Sequence, residues 1–591
     1  MGPKTVALSA VVGVAALGGC ASGGSYSKSS YWDGSIFARP PAADAYSALL
    51  IARYASLNND PSEAVAQYAS VLHAVPPGDE IAARGVYAAL LSGDFSQAAT
   101  FAARADGAAS GTGRTSLTDL TLAVKSLSEG HDTAALGHLD LATYGPFNRA
   151  MAVNVLAWLT LETDGLAAAE AVLAQADGDA FAVPSVALAM AGLLQSSAGE
   201  DDRALATFNR LDASGPRLAM ATEAQARLLA SAGRADEARA RLASFRQDVG
   251  PHPVLAELDR SIAAGKPVSA PRLTTLQGAA LGIYGPAAAL AARTDSDLPA
   301  AYFVLALELD PSLDVARTLW ADALDRNGRR DEAVGVLRAV PESSAFFPTA
   351  QGQLAWALRQ SGDDEGALAI ARAALETHPD RDLKVQLSEL LVSMVRDDDA
   401  ERLLTEIIDE DAERGRADWR MFFARGAARE RMGNWAGAET DLQHALTLAP
   451  DNPEIMNHLG YGWVDRHRNL HQALIMLERA AELRPSAGEI IDSLGWAYYR
   501  LGRIDEAIAQ LERAVSLSPT SFAANDHLGD AYWRAGRHLE ATFQWERALS
   551  LGPAEDMADG LRQKLIAGLP PRGGVMVGAS LSGLPEMQVQ P

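Results

Sequence analysis

Cysteine is all but absent from these 591 residues: Cys20 is the only one, so no disulfide can form within the chain and the fold must stand on packing alone. Aromatic residues are scarce as well, 6% of the chain against 48% hydrophobic residues in all. Alanine and leucine dominate the apolar share, a composition that suits many closely packed helices better than β-sandwiches. Positive charge is in deficit, with 51 Lys and Arg against 75 Asp and Glu, a net charge of −24. Such a chain repels a phosphate backbone at long range, which argues against nucleic acid as a partner. The acidic excess reads as charge spread over solvated helix faces.

The residues that catalysis calls for are missing too. No Gly-rich phosphate loop of the dinucleotide or Walker type occurs, and no nucleophile stands beside a legible base. His467 and His471 have the i, i+4 spacing of a zinc-protease helix, but Arg468 stands where the catalytic glutamate belongs, so they read as turn histidines. No cofactor, metal site or enzymatic activity is expected. The rival of that class is a cryptic site between residues 250 and 300 or in the degenerate middle repeats.

What is present begins at the N-terminus. Lys4 precedes an apolar stretch from Val6 to Leu17, about 12 residues and too short to span a bilayer as a stable helix, and small residues lead into Cys20. The pattern predicts a signal peptide over residues 1–19. Leu17-Gly18-Gly19-Cys20 resembles a bacterial lipobox, which implies lipidation of Cys20 with two or more acyl chains and lasting membrane anchorage. Ala21 and Ser22 follow in place of Asp, which by the sorting rule of enterobacterial lipoproteins implies the periplasmic face of the outer membrane. Residues 20–41, rich in Gly, Ser, Tyr and Pro, read as a flexible tether, and residues 566–591, where periodicity is lost, as a disordered tail.

Between them the chain repeats itself. Leu494-Gly495, Tyr498, Gly502, Ala507, Leu511, Ala514 and Pro519 recur as Leu528-Gly529, Tyr532, Gly536, Ala541, Trp545, Ala548 and Pro553, each displaced by 34 residues. A Gly followed five residues later by Ala also marks Gly93/Ala98, Gly130/Ala135, Gly199/Ala204, Gly233/Ala238, Gly328/Ala333, Gly362/Ala367 and Gly433/Ala438. The gaps of 69 and 71 residues each leave room for one degenerate unit, the second around Leu387 and Ala400, and an early unit carries Ala64 in the small-residue slot. These residues resemble the tetratricopeptide pattern. Small residues let two helices approach, large ones fill between them, and the left-handed Gly ends the first helix. The resemblance implies an all-α fold, a right-handed superhelical solenoid of helix-turn-helix repeats, about twelve to fourteen of them at one per ~34 residues. Pro251, Pro253, Pro267 and Pro271 mark residues 250–272 as a break between an N-terminal block, 42–249, and a C-terminal block, 273–565. One extra residue near 465–469 is expected to swell an inter-helix turn.

In this family the first helices line a concave face. Slots away from the packing positions hold Asn457, Tyr461, Asp492, Trp496, Tyr499, Arg500, Asp526, Asp530, Trp533 and Arg534. Trp, Tyr and Arg in such slots fit a partner-binding patch; equally, Trp496 and Trp533 fit packing against the next repeat. Lipobox, length and the stretches Tyr46–Pro76 and Asn457–Trp545 together look similar to the LbcA-type lipoprotein adaptors of periplasmic carboxyl-terminal processing proteases. That resemblance implies a protein partner, such a protease with its substrates. The alternative is a scaffold for envelope assembly or export machinery.

Overall fold

The computed structural model describes residues 41–74, 79–106, 115–176, 183–215, 217–294 and 296–570. The segments expected as signal peptide and tether, with Cys20, lie outside the described residues as far as residue 40, as does the expected tail from residue 571 on; residues 566 and 567 of that expected tail belong to helix Glu555–Ala567. Among the described residues there are thirty α-helices and no strand. Six antiparallel pairs run from Pro41–Leu57 with Pro61–Ala74 to Ala219–Ser231 with Ala235–Asp248. Seven more run from Asp314–Arg326 with Arg330–Arg338 to Phe522–Arg534 with His538–Ser550, thirteen in all.

The repeat pattern has a uniform physical basis. Each of the nine glycines of the Gly/Ala register sits at a helix end with φ between +74° and +86°, a left-handed conformation that a side chain would strain. Each of the nine alanines five residues on is 0% exposed. The degenerate units keep the geometry with other residues: Asn59 (φ 56°) precedes the buried Ala64, and Val395 (φ 56°) precedes the buried Ala400. At Gly495 the helices are so close that a Cβ would stand 2.6 Å from Leu511. The turn after Asp465 holds four residues before Leu470, where the two later repeats have three, with His467 and Asn469 in the left-handed region.

Successive first helices pack on one another as well as on the second helices between them; examples are Pro453–Asp465 on Gly488–Arg500 and Gly488–Arg500 on Phe522–Arg534. Contacts of that kind between successive second helices are at most marginal among the described residues. First helices crowded on one side and second helices splayed on the other make the array curve, with the first helices on its inner face.

The stretch expected as a break, 250–272, holds a helix of its own, Pro253–Ala263, whose Leu255, Leu258 and Ile262 form a separate buried cluster with Ala226, Leu229, Ala238, Leu242 and Phe245, while another buried cluster joins residues on both sides of it, from Ala52 to Ala316. Helix Thr275–Ala291 turns back and lies on the first helices Pro146–Asp164 and Pro184–Ser197, and Leu298–Leu309, packed between Thr275–Ala291 and Asp314–Arg326, also lies on Asp79–Leu91 and Ser116–Ser128. Both are apolar on nearly every side, as helices enclosed by protein must be. A Cβ at Gly278 would stand 2.0 Å from the Trp158 ring, so only glycine admits this approach. The Asn154 amide donates to the Gly282 carbonyl at 2.9 Å, and the Tyr302 hydroxyl donates to Asn148 at 2.6 Å. The inner face of the first block is thus filled by the chain's own helices, the second of which also packs on Asp314–Arg326, the first helix of the next block.

Candidate protein-binding surface

The inner face from residue 453 onward has no such filling among the described residues, and the expected site residues lie along it. They divide into a buried layer and a half-buried one. Trp496, Asp492 and Asp530 are 8%, 8% and 6% exposed. Trp496 is not a free contact residue: its ring is stacked on Tyr499 (centroids 4.7 Å apart, 12° between planes) and on His527 of the next repeat (4.2 Å, 16°). Asp492 accepts from His527 at 3.0 Å. Burial works against the His527 imidazolium, but Asp492, Asp526 and Asp530 outweigh it and hold the group above the ordinary histidine value. The packing alternative therefore holds for Trp496, which joins one repeat to the next.

Tyr461, Asn457, Tyr499, Arg500, Asp526, Trp533 and Arg534 are half-buried. Arg500 lies over Trp496 (5.5 Å) and donates to the Asp465 carbonyl at 3.0 Å, and burial pushes the Tyr461 phenol up, with Asp465 and Asp492 adding to it. Arg534 donates to the Tyr499 hydroxyl at 3.4 Å and to the Pro570 carbonyl at 2.7 Å. Trp533 packs edge-on against His538 (4.1 Å) and tilted on Trp545 (5.4 Å). These residues are spaced by one repeat and held in place by one another, so the surface is built before anything meets it. Two polar atoms in it, Asn457 Oδ1 and Trp496 Nε1, are buried with no hydrogen-bond partner among the described residues.

Lys564 and His527 were not among the residues expected at this surface. Lys564, on the last helix Glu555–Ala567, donates to Asp526 at 2.6 Å and to Asp530 at 2.8 Å, and Trp545 Nε1 donates to Asp530 at 3.0 Å. Burial, with Asp526 adding to it, pushes the Asp530 carboxyl up to about 6 against the pull of Lys564, whose own value the two carboxylates raise. The missed signal was positional: Lys564 lies one 34-residue period after Asp530, and His527 lies 35 residues after Asp492.

Upstream, buried ion pairs join first helices to second helices within a repeat. Buried Asp441 accepts from Arg425 at 2.7 Å and Arg429 at 2.8 Å, and Asp411, also buried, pairs with Arg381 at 2.6 Å. Where the first block's filling helices stop short, a cavity of about 600 Å³ remains, lined among others by Tyr68, Tyr87, Leu91, Ala300, Leu324 and Arg329. Among the described residues, Asp106, Asp119 and His138 bring ligand-type atoms within 4.8 Å of one another. His467 and His471 are exposed, in and just beyond the four-residue turn.

Comparison with known proteins decides the repeat type. Residues 495–536 match the model described as TPR repeat, and residues 318–382 match the one described as tetratricopeptide repeat. Both stretches are tetratricopeptide repeats. A TPR repeat-containing protein of Pseudomonas aeruginosa is 28% identical over 159 residues, 27% of this chain and 26% of that protein, so the match spans about a quarter of the relative's length. A tetratricopeptide repeat protein of Parabacteroides merdae aligns over 42% of this chain and 97% of its own (15% identity, TM-score 0.36). The APC/C hetero-tetramer Cut9-Hcn1 aligns over 89% and 98% (14% identity, TM-score 0.38). Tetratricopeptide repeats mark the chain as a protein–protein interaction scaffold, an architecture that is generally non-catalytic.

Proposed function

We propose that this protein is a lipid-anchored adaptor on the periplasmic face of the outer membrane that holds a partner protein on the inner face of its C-terminal repeats. By the resemblance of its lipobox and repeats, the partner is a carboxyl-terminal processing protease, which the adaptor tethers and activates with its substrates. The observation that carries the reading is the contrast between the two inner faces. The first is filled by Thr275–Ala291 and Leu298–Leu309; the second presents Tyr461, Tyr499, Arg500, Trp533 and Arg534 on a braced layer of Trp496, His527 and Asp492. Rigid Tyr, Trp and Arg side chains are the residue types that contribute most at protein interfaces.

The test is affinity purification of the lipidated protein from cross-linked envelopes, with mass spectrometry of what co-purifies. A processing protease recovered by the native chain and lost from a Tyr461→Ala/Arg534→Ala variant is the expected result. Recovery of a barrel or export component in its place would transfer the protein to envelope assembly, and unaltered capture by the variant would remove the partner from this face.

A further inference from the structure

The two ends of the array are finished differently. The last helix, Glu555–Ala567, closes the C-terminal end with a polar outer side: Glu555, Asp556, Asp559, Arg562 and Gln563 are exposed, and Ile566 is the exception. The first helix, Pro41–Leu57, has no such side. Its inner face is small, with Ala45, Ala48, Ala52 and Ala55 against helix Pro61–Ala74. Its outer face repeats Tyr46, Leu50, Tyr54 and Leu57 at i, i+4, i+8 and i+11, exposed by 64%, 50%, 70% and 84%, with Ile51 beside them at 45%. End repeats of a solenoid ordinarily turn polar residues outward, and a helix apolar on two sides is one that something covers.

We propose that this outer face lies on the lipid surface to which Cys20 is anchored. The inference rests on the reading of Cys20 as a lipidated residue. Pro41 is 21 residues after Cys20, so the stripe lies at most ~70 Å of chain from the acyl groups, and no other described helix lies nearer in sequence. A stripe along these 17 residues is about 25 Å long, enough for a helix already delivered to a bilayer to lie along its surface. Tyr46 and Tyr54 carry an apolar body with a polar tip, which suits the headgroup boundary. The charges exposed on the helix, Asp44 and Arg53, cancel, so zwitterionic lipid suffices in spite of the chain's net charge of −24. No described helix is long and apolar enough to cross a membrane, so the helix lies on the surface.

With Cys20 acylated, a cysteine placed at Leu50 is the one free thiol, and it takes a nitroxide label in the full mature protein reconstituted in phosphatidylcholine vesicles. The mass of the N-terminal fragment reports acylation separately. Collision rates with oxygen and with a nickel chelate are compared with those of a label at the exposed Asp505→Cys. We expect an oxygen-to-nickel ratio at least threefold higher at position 50, lost when Tyr46, Tyr54 and Leu57 are changed together to Ser with unaltered circular dichroism. An acylated protein whose position 50 is as open to nickel as position 505 overturns the proposal, as does spin–spin broadening between copies, which would assign the stripe to self-association. A chain without acyl groups on Cys20 overturns it by removing the anchor.

Discussion

Val395 holds, at φ 56°, the position that glycine holds in nine other repeats, and it is 60% exposed, so packing does not compensate the strain. A left-handed conformation costs a non-glycine residue about 1–2 kcal/mol. We expect Val395→Gly to raise the stability of the middle repeats by about 1 kcal/mol in urea denaturation; a neutral or harmful substitution would show that the turn is held by something other than its backbone. The complementary slot admits no enlargement. Ala507 is 0% exposed between two helices, and Ala507→Leu should cost about 1–3 kcal/mol through overpacking. His527 gives a pH dependence of definite sign. The acidic groups facing it, Asp492, Asp526 and Asp530, hold its folded value above the unfolded one. Its contribution is therefore complete below the unfolded value and is lost as pH rises through the folded value. The thermal midpoint of the C-terminal repeats should fall as pH rises above the ordinary histidine value of about 6.5, and His527→Gln should flatten that fall. A variant with the native profile would locate the titration elsewhere.

At the scale of the helix, the decisive feature is the close approach of Thr275–Ala291 to Pro146–Asp164. Gly278→Ala puts a methyl group 2.0 Å from the Trp158 ring and should cost about 1–3 kcal/mol by calorimetry. Gly335→Ala, inside an exposed helical turn with nothing within 4 Å, should instead stabilise by about 0.5–1 kcal/mol. Equal effects at the two sites would mean that the filling helix is loosely seated. The same helix explains which parts of the fold were legible in the sequence. Pairing within a repeat leaves a trace every 34 residues, because each unit solves the same problem with Gly502, Ala507 and Leu511 or their equivalents. The return of the filling helices leaves none: the Asn154–Gly282 hydrogen bond joins residues 128 apart, and a run of Ala and Gly reads like one more degenerate repeat. The surface was half legible for a related reason. Trp496 stands off the packing positions of its own repeat, which the periodicity shows, yet it is core to the next repeat through His527, which one repeat alone does not show.

For the whole molecule, the filling helices divide labour between two curved arrays of one kind. The second to fifth pairs turn their inner face to residues 275–309, so the block's stability is not a sum of neighbouring repeats alone, as in an open solenoid, but depends on contacts between distant parts of the chain. Trp320 against Gly93 and Arg329 donating to the Leu91 carbonyl at 2.7 Å extend that closure into the seventh pair. A fragment of residues 41–249 would leave uncovered the apolar inner surface that Ala279, Ile283, Tyr302 and Phe303 bury, and a large uncovered apolar face drives association. We therefore expect that fragment to aggregate or to bind a hydrophobic dye, and residues 41–338 to be soluble and to melt cooperatively. Residues 347–570 carry their own buried clusters and the polar last helix, and should fold without the first block and keep the partner surface. Size-exclusion chromatography with dye binding separates the cases. A soluble, compact 41–249 fragment would show that the filling helices occupy a groove able to stand open, in which case the first inner face would itself be a candidate for partners.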